Sequence, residues 1–270
     1  MPVSASTGCA TTSGSPAIRP RPTKNNSNSS IHANPSNPDL LSRRAQLRRL
    51  WRDWRAFVLF IAVMLVFRSA IADWNQVPSG SMYPSIFIGD RIVVNKLAYD
   101  LRVPFTLQRI AHWRDPERGD IVTFPSPEDE RLLVKRIVAV PGDTVSLENN
   151  ELVINEQRAS YEPLKAEQVR QLPVRDVHRY QFLRESILGS ERLIMLLKSG
   201  HAHINSFPAI EVPEAHYLVM GDNRDNSRDS RSIGFVSRDR ILGRAQTVAF
   251  SLDYDKYYAP RMERFFTDLP

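Results

Sequence analysis

The sequence contains very little cysteine: Cys9 is the only one in 270 residues. A single cysteine cannot form an intramolecular disulfide, and it excludes zinc sites that are built from several cysteines. Histidine is also sparse, with six residues, and no group of His, Cys, Asp and Glu has the spacing of metal ligands. We therefore expect neither a bound metal nor another cofactor.

An excess of basic charge is missing outside the N-terminal part of the chain. The formal net charge is +6, but residues 1–55 carry nine Lys and Arg against two Asp, which leaves a net charge of −1 for residues 56–270. Domains that bind nucleic acid generally present a basic patch. Nucleic acid is therefore not expected among the partners of the folded part.

Large apolar residues are rare in the first forty residues, which are rich in Ser, Thr, Asn and Pro. A segment of this composition buries too little apolar surface to offset the entropy that ordering would cost. The sequence predicts a disordered N-terminal segment over residues 1–42.

The longest apolar run is "AFVLFIAVMLVF", twelve residues from 56 to 67. Continued past Arg68 to Ala72 it reaches 17 residues, which is the lower limit for a helix that spans a bilayer. A basic stretch precedes the run, and basic flanks favour the cytoplasmic side. Residues 43–72 are predicted to be a basic flank and a single transmembrane helix, with the N-terminus in the cytoplasm. A buried core helix and a signal peptide cleaved near Ala72 are the alternatives.

Beyond residue 73 the pattern changes to short runs rich in Val and Ile, which Gly, Pro and Asp separate. The runs are 91–97, 120–124, 132–140, 144–157, 216–220 and 244–250. They predict a mainly β, antiparallel catalytic domain formed by residues 73–157 and 214–270. The more polar segment 158–213 is predicted to be a small cap or insertion, in which the stretch 182–197 fits either a helix or a strand pair.

Lys135 lies in the predicted strand 132–140, where alternate residues share a face of the sheet. Its neighbours on that face are apolar, so the lysine belongs to an apolar row. Burial disfavours the ammonium form, and a pKa lowered to about 7–8 would let the free amine act as a general base. A lysine at a sheet edge whose amine extends to solvent is the structural alternative.

The stretch "PSGSMYP", residues 78–84, places two serine hydroxyls between two prolines. The prolines restrict the backbone and Gly80 permits close approach of another chain segment, so this loop is expected to be constrained. A serine needs an adjacent base to become a nucleophile. All six histidines lie outside this stretch, the Lys135 strand and the polar run 221–231. This disfavours a Ser-His-Asp triad, while a simple Ser/Gly/Pro turn remains the structural alternative.

Four segments together resemble bacterial type I signal peptidase, a membrane-anchored serine–lysine protease that removes signal peptides from exported proteins. They follow the family's order: "PSGSMYPSIFIGD" (78–90), "RGDIVTF" (118–124), "LLVKRIVAVPGD" (132–143) and "GDNRDNSRDSRSIGF" (221–235). The resemblance covers about residues 56–250 and is weakest in the segment 158–213.

The resemblance implies a role for each matching polar residue. Ser81 would be the nucleophile and Lys135 the base that takes its proton. Ser79 would bind the oxyanion together with the backbone N–H of Ser81, and Ser227 would hydrogen-bond the lysine amine. Residues implied to support the site structurally are Asp229, Arg231 and Arg136.

The resemblance also implies a substrate and a location. Signal peptides of exported pre-proteins would bind as extended strands and be cleaved after A-x-A sites, through an acyl-enzyme. The residues that match the family's pocket lining are Val77, Pro78, Met82, Ile86, Leu133 and Val134. A monomer is expected in the inner membrane, in contact with lipid, with its catalytic domain on the periplasmic side.

Two other functions fit the same residues. One is a specialised conjugation-type relative that processes a single dedicated substrate by the same chemistry. The other is a non-catalytic, membrane-tethered β module that binds extended peptides, which would show peptide affinity without turnover.

Overall fold

The computed structural model describes residues 38–106, 108–199 and 204–270. Residues 1–37, which the sequence predicts to be disordered, lie outside the described residues. The chain divides into two units, Met1–Arg55 and Ala56–Pro270. All of the strands belong to the second unit.

The first helix, α1, spans Pro38–Ala70. Residues 38–42 were predicted to be disordered and belong to this helix instead. The physical reason is composition: Leu, Arg, Ala and Gln dominate the following turns and favour helix, and proline fits a first helical turn. No helix in the described part of the chain is both long and apolar enough to cross a membrane.

Within its described residues the second unit has eighteen strands and, after α1, two short α-helices, α2 (Ala166–Arg170) and α3 (Ser230–Ile233). The strands are β1 (Ala72–Gln76), β2 (Asp90–Asn95), β3 (Asp100–Arg102), β4 (Arg109–His112), β5 (Ile121–Pro125), β6 (Leu132–Ala139), β7 (Thr144–Glu148), β8 (Glu151–Ile154), β9 (Gln157–Arg158), β10 (Ser160–Pro163), β11 (Tyr180–Ile187), β12 (Ser190–Leu197), β13 (Phe207–Glu211), β14 (His216–Met220), β15 (Val236–Ser237), β16 (Gly243–Asp253), β17 (Ala259–Pro260) and β18 (Thr267–Asp268).

The largest sheet has nine strands, in the order β1-β2-β16-β5-β6-β14-β15, with β17 and β18 also paired to β16. Every pairing in it is antiparallel. Smaller sheets have the orders β13-β7-β8-β9, β10-β11-β12 and β3-β4. The prediction of a mainly antiparallel β fold is therefore confirmed.

Each of the six Val- and Ile-rich runs overlaps at least one strand, and the run 144–157 contains the hairpin β7–β8. Its turn consists of Asn149 and Asn150, whose φ angles are 51° and 67°. Asparagine tolerates this left-handed region, which tight hairpin turns with the right twist require. The local sequence therefore sets the register of this hairpin.

The segment 158–213 contains the strands β10 to β13 and the short helix α2, and its stretch 182–197 lies within the hairpin β11–β12 rather than in a helix. Strand β13 pairs with β7, which precedes the segment. Ile187 and Val212 pack in one hydrophobic cluster with residues of β6, β7, β8 and β14. The segment therefore shares a core with the strands on either side of it.

Lys96 fixes the end of α1 to the strands that follow. Its ammonium donates to the backbone oxygens of Arg68 and Ser69, each at 3.1 Å, and lies 3.6 Å from a carboxylate oxygen of Asp73. The last carbonyls of a helix have no partner within it, so a cation there is stabilising. This contact sets where β1 begins, and β1 leads directly into the loop described below.

Gly89 ends the loop between β1 and β2 and offers a test of its packing. Its φ is +93°, and an added Cβ would lie 2.0 Å from the backbone oxygen of Leu252. Gly142 has a similar φ of +83°, but a Cβ there meets nothing within 4 Å. We expect Gly142→Ala to cost about 1–3 kcal/mol of backbone strain, and Gly89→Ala to cost clearly more because the Leu252 carbonyl must also move. Denaturant unfolding measures both losses, and equal losses would contradict this packing.

Candidate active site

Ser81 lies in the loop of residues 77–89, whose two ends are joined by backbone hydrogen bonds. The N–H of Val77 donates to the carbonyl of Asp90 at 3.1 Å, and the N–H of Gly89 donates to the carbonyl of Val77 at 3.3 Å. Closing a loop in this way removes most of its conformational freedom. The loop thus presents the Ser81 hydroxyl in a fixed place.

Lys135 comes to this hydroxyl from β6. Its Nζ lies 2.7 Å from Ser81 Oγ and also donates to the backbone oxygen of Val134 at 3.0 Å. The lysine is only 3% exposed. The structure therefore brings together two residues that are 54 positions apart in the chain.

Burial lowers the pKa of Lys135 from 10.5 to about 8, because a desolvated ammonium loses its hydration. The carboxylates of Asp229 and Asp222 raise this pKa, and the guanidinium of Arg231 lowers it, each by less than burial does. With a pKa of about 8, roughly one amine in ten is neutral at pH 7. An appreciable fraction of Lys135 can therefore accept a proton.

Arg136, the next residue of β6, projects to the opposite face of the strand. Its Nε and Nη2 donate to the two carboxylate oxygens of Asp222 at 2.9 and 2.8 Å. It also donates to the backbone oxygens of Gly119 and Pro270. This buried guanidinium is therefore well supplied with acceptors, as a buried charge must be, and it holds β6 against the start of the loop 221–231.

Asp229 organises the loop 221–231. Its carboxylate accepts two hydrogen bonds from Arg231, both at 2.8 Å, and one from the backbone N–H of Gly221 at 2.9 Å. Burial by itself raises the pKa of Asp229, but the hydrogen bonds and charge of Arg231 outweigh it, so the pKa lies below its usual value. The ionised carboxylate of Asp229 therefore links the two ends of the loop, Gly221 and Arg231.

Two donors stand beside the Ser81 hydroxyl. Ser79 Oγ lies 3.5 Å from Ser81 Oγ, and its side chain is exposed. The backbone N–H of Ser81 has no hydrogen-bond partner within the described residues. Both groups are therefore available to a negatively charged oxygen on a carbon that Ser81 attacks.

Ser227 does not hydrogen-bond the Lys135 amine, contrary to the prediction from the resemblance. The amine is already bonded to Ser81 and Val134, and Ser227 Oγ is buried beside the Asp229 carboxylate, whose pKa it helps to lower. It packs so closely on Gly221 that a Cβ there would lie 2.2 Å from Ser227 Oγ. The hydroxyl therefore lies next to the site, where it interacts with Asp229 rather than with Lys135.

A cavity of about 760 Å³ opens beside the two serines and Lys135. Of the predicted pocket residues, Leu133 lines it. Val77, Met82 and Ile86 are each at most 3% exposed and belong to a hydrophobic cluster, against which Val134 also packs. Pro78 is exposed. Most of the predicted pocket residues therefore belong to the hydrophobic core beneath the loop and do not line this cavity.

A buried ion cluster that the sequence analysis missed joins the hairpin β11–β12 to the loop 221–231. Glu185 accepts hydrogen bonds from Arg192 and from Arg224. Burial raises the pKa of Glu185, but the two guanidinium groups outweigh it and lower the pKa to about 2. The available signal was a carboxylate inside the apolar pattern "FLRESIL".

Taken together, these groups have the geometry that acyl transfer by a serine hydrolase requires. A serine hydroxyl is bonded to a buried amine, as a nucleophile and its base would be, and two donors lie where an oxyanion would form. No histidine lies among the residues that line the adjacent cavity in the described part of the chain.

Comparison with known proteins agrees with this chemistry. The sequence profile of the family described as "Signal peptidase, peptidase S26" matches residues 50–250. Signal peptidase I of Pseudomonas aeruginosa is 34% identical over 230 residues, covering 81% of this chain and 78% of that protein. Signal peptidase I of Pseudomonas fluorescens is 32% identical over 214 residues, covering 73% and 71%.

A crystal structure of a signal peptidase I from Enterococcus faecalis V583 aligns at 28% identity with a TM-score of 0.29, over 48% of this chain and 97% of that one. The extent of the profile match shows that the chain belongs to the signal peptidase family, peptidase S26. The resemblance predicted from the four segments is confirmed.

Gly221 leads to a test of how closely the site is packed. A Cβ at this position would lie 2.2 Å from Ser227 Oγ and 2.5 Å from the backbone oxygen of Ser81. We expect Gly221→Ala to displace Ser81 from Lys135 and to lower peptidase activity by about 100-fold or more, with a folded protein by circular dichroism. The Gly142→Ala variant is the control. Full activity of Gly221→Ala would show that the packing is looser than this.

Proposed function

We propose that this chain removes signal peptides from exported pre-proteins with a serine–lysine pair, cleaving after small residues at A-x-A sites. As a member of its family the chain is a serine endopeptidase that processes signal peptides. The single observation that supports the pair is the distance of 2.7 Å between Lys135 Nζ and Ser81 Oγ, with the amine buried.

In the proposed reaction, the neutral amine of Lys135 takes the proton of the Ser81 hydroxyl as Oγ attacks the scissile carbonyl carbon. The tetrahedral intermediate carries its negative charge on the former carbonyl oxygen. When the C–N bond breaks, the ammonium returns the proton to the leaving amine, and an ester on Ser81 remains. Water, deprotonated by the same amine, then attacks the ester and restores the serine.

The oxyanion would be bound by Ser79 Oγ–H and the backbone N–H of Ser81. Both donors are present before substrate arrives, so little reorganisation accompanies the development of charge. Ser227, whose hydroxyl is buried against Gly221 next to the site, would bond the Lys135 amine once Ser81 has given up its proton. Asp229 and Arg231 would keep that loop in place through their buried pair.

Selectivity for small side chains would come from apolar surface close to the nucleophile. Leu133 lines the cavity, and the packed side chains of Val77, Met82, Ile86 and Val134 support the loop beneath it. Of the predicted pocket residues, we propose that Leu133 and the exposed Pro78 contact the substrate, which would bind as an extended strand. Apolar walls of fixed shape reject large residues because a packed core does not expand to admit them.

We further propose that residues 43–72 attach the enzyme to the inner membrane, with the N-terminal segment 1–42 cytoplasmic and the catalytic domain on the periplasmic side. Exposed apolar side chains of α1 support lipid contact; they include Phe57, Leu59, Phe60, Val63 and Leu65. Residues 73–157 and 214–270 would form the catalytic domain and residues 158–213 an insertion. Attachment would raise the effective concentration of enzyme at a substrate held in the same membrane.

Ser81→Ala and Lys135→Ala test the serine–lysine assignment. Each is expected to lower cleavage of a purified pre-protein by about 10³-fold or more, because the two residues act as one unit. Lys198→Ala is the matched control, since this lysine is exposed. Near-normal turnover by either site variant would overturn the assignment, and binding of the signal peptide without turnover by the unmodified chain would favour the peptide-binding module.

The pH dependence of kcat/KM tests the role of Lys135 as a base. Since burial lowers the pKa of Lys135 to about 8, the free amine is the minor form below that pH and the major form above it. We expect kcat/KM to rise about tenfold per pH unit below pH 8 and to level off above it. A profile that stays flat between about pH 6 and 9 would contradict proton transfer to this amine.

A further inference from the structure

Asn223 makes two hydrogen bonds to consecutive carbonyls of the loop that carries Ser81. Its side-chain Nδ2 donates to the carbonyl of Gly80 at 2.9 Å, and its backbone N–H donates to the carbonyl of Ser81 at 3.0 Å. The residue is 2% exposed. Neither bond involves the Ser81 hydroxyl or Lys135, so the proposed proton transfer does not require them.

The Gly80 carbonyl and the Ser81 N–H belong to the same peptide unit. That peptide is trans, and a trans peptide is planar with its C=O and N–H pointing in opposite directions. Fixing the oxygen therefore fixes the direction in which the Ser81 N–H points. On this basis we infer that Asn223 is a positioning residue, which aims the Ser81 backbone N–H at the oxyanion. The inference rests on the proposed function and extends it.

The backbone at Asn223 is held by hydrogen bonds of Asp222, the preceding residue, and of Asn223 itself. The preceding residue, Asp222, is paired with Arg136 through two hydrogen bonds, and its carbonyl accepts a hydrogen bond from the N–H of Met195 at 2.8 Å. The carbonyl of Asn223 accepts from the N–H of Asn226 at 3.1 Å. The amide of Asn223 therefore acts on the nucleophile loop from a rigid support.

The oxygen of the Asn223 side-chain amide indicates that this residue serves as a hydrogen-bond donor through Nδ2. Its Oδ1 is buried and has no hydrogen-bond partner among the described residues. A buried acceptor without a partner is destabilising, and such groups are uncommon in native proteins. An apolar side chain of similar shape would avoid this cost, but it would leave the Gly80 carbonyl free to rotate the peptide.

Two substrate-like inhibitors separate this role from a merely structural one. A peptide aldehyde that ends in an A-x-A sequence forms a hemiacetal with Ser81, and the former carbonyl oxygen of this hemiacetal occupies the oxyanion position next to the Ser81 N–H. The corresponding peptide alcohol has no electrophilic carbon and binds without an oxyanion. Only the aldehyde should be sensitive to the direction of this N–H.

The experiment uses the full chain with Asn223→Ala, and with Asn223→Leu as a second variant that keeps the branched shape. Loss of an oxyanion donor lowers kcat by about 10²–10³-fold; we expect a loss of about 10–100-fold here, with KM within about twofold, because the donor is misdirected rather than removed. Aldehyde affinity should fall by a similar factor and alcohol affinity should not change. The midpoint of the pH profile should stay at its original value because Asn223 does not contact Lys135.

Asn155→Ala is the control. It also removes a side-chain amide with a defined partner, the Asp143 carboxylate at 2.8 Å, and should leave both affinities unchanged. Unchanged kcat in the Asn223 variants, or equal losses of aldehyde and alcohol affinity, would overturn the inference while the serine–lysine mechanism stands. If the unmodified enzyme does not bind the aldehyde more tightly than the alcohol, the proposed function itself fails.

Discussion

The structure depends on keeping one lysine amine out of water while holding it against a serine hydroxyl. A pKa of about 8 in place of 10.5 for Lys135 corresponds to roughly 3 kcal/mol of unfavourable burial at neutral pH. Because the folded pKa is the lower one, this cost is fully present below pH 8 and disappears as the pH rises towards the unfolded value. The rest of the fold must offset it.

Successive side chains of β6 point to opposite faces of the strand, and this alternation separates the reactive lysine from a structural arginine. Lys135 faces the nucleophile loop, while Arg136 faces the other way and binds Asp222 through two hydrogen bonds. One strand therefore supplies the reactive amine on one face and a fully bonded structural cation on the other. The loop 221–231 contributes to both arrangements. Its Asp222 binds Arg136, and its Asn223 binds the loop that carries Ser81.

Local sequence patterns were sufficient to predict most of the strands and the two residues at the centre of the site. The Val- and Ile-rich runs predicted the principal strands because β-branched residues fit a pleated, buried surface. The motifs around Ser81 and Lys135 predicted which residues approach each other. The run 182–197 could not be assigned to helix or strand, because its apolar residues suit both and its pairing partners are decided by tertiary contacts.

Other features of the site depend on distant contacts that no local pattern records. The bond from Asn223 to Gly80 joins residues 143 positions apart, and the Glu185 cluster joins the hairpin β11–β12 to Arg224, which is 39 positions from Glu185. For the same reason the packed positions of Val77, Met82 and Ile86 were not foreseen: an apolar residue next to a site suits the core as well as a pocket wall.

The most direct test of the central claim is the titration of Lys135 itself. Lysine labelled with ¹³C at Cε, assigned by comparison with Lys135→Ala, reports the protonation of each amine by NMR. The buried amine described here predicts a midpoint at about pH 8. A midpoint close to the ordinary value of 10.5 would mean that the amine is charged throughout the neutral range, and it would contradict the role of Lys135 as the base.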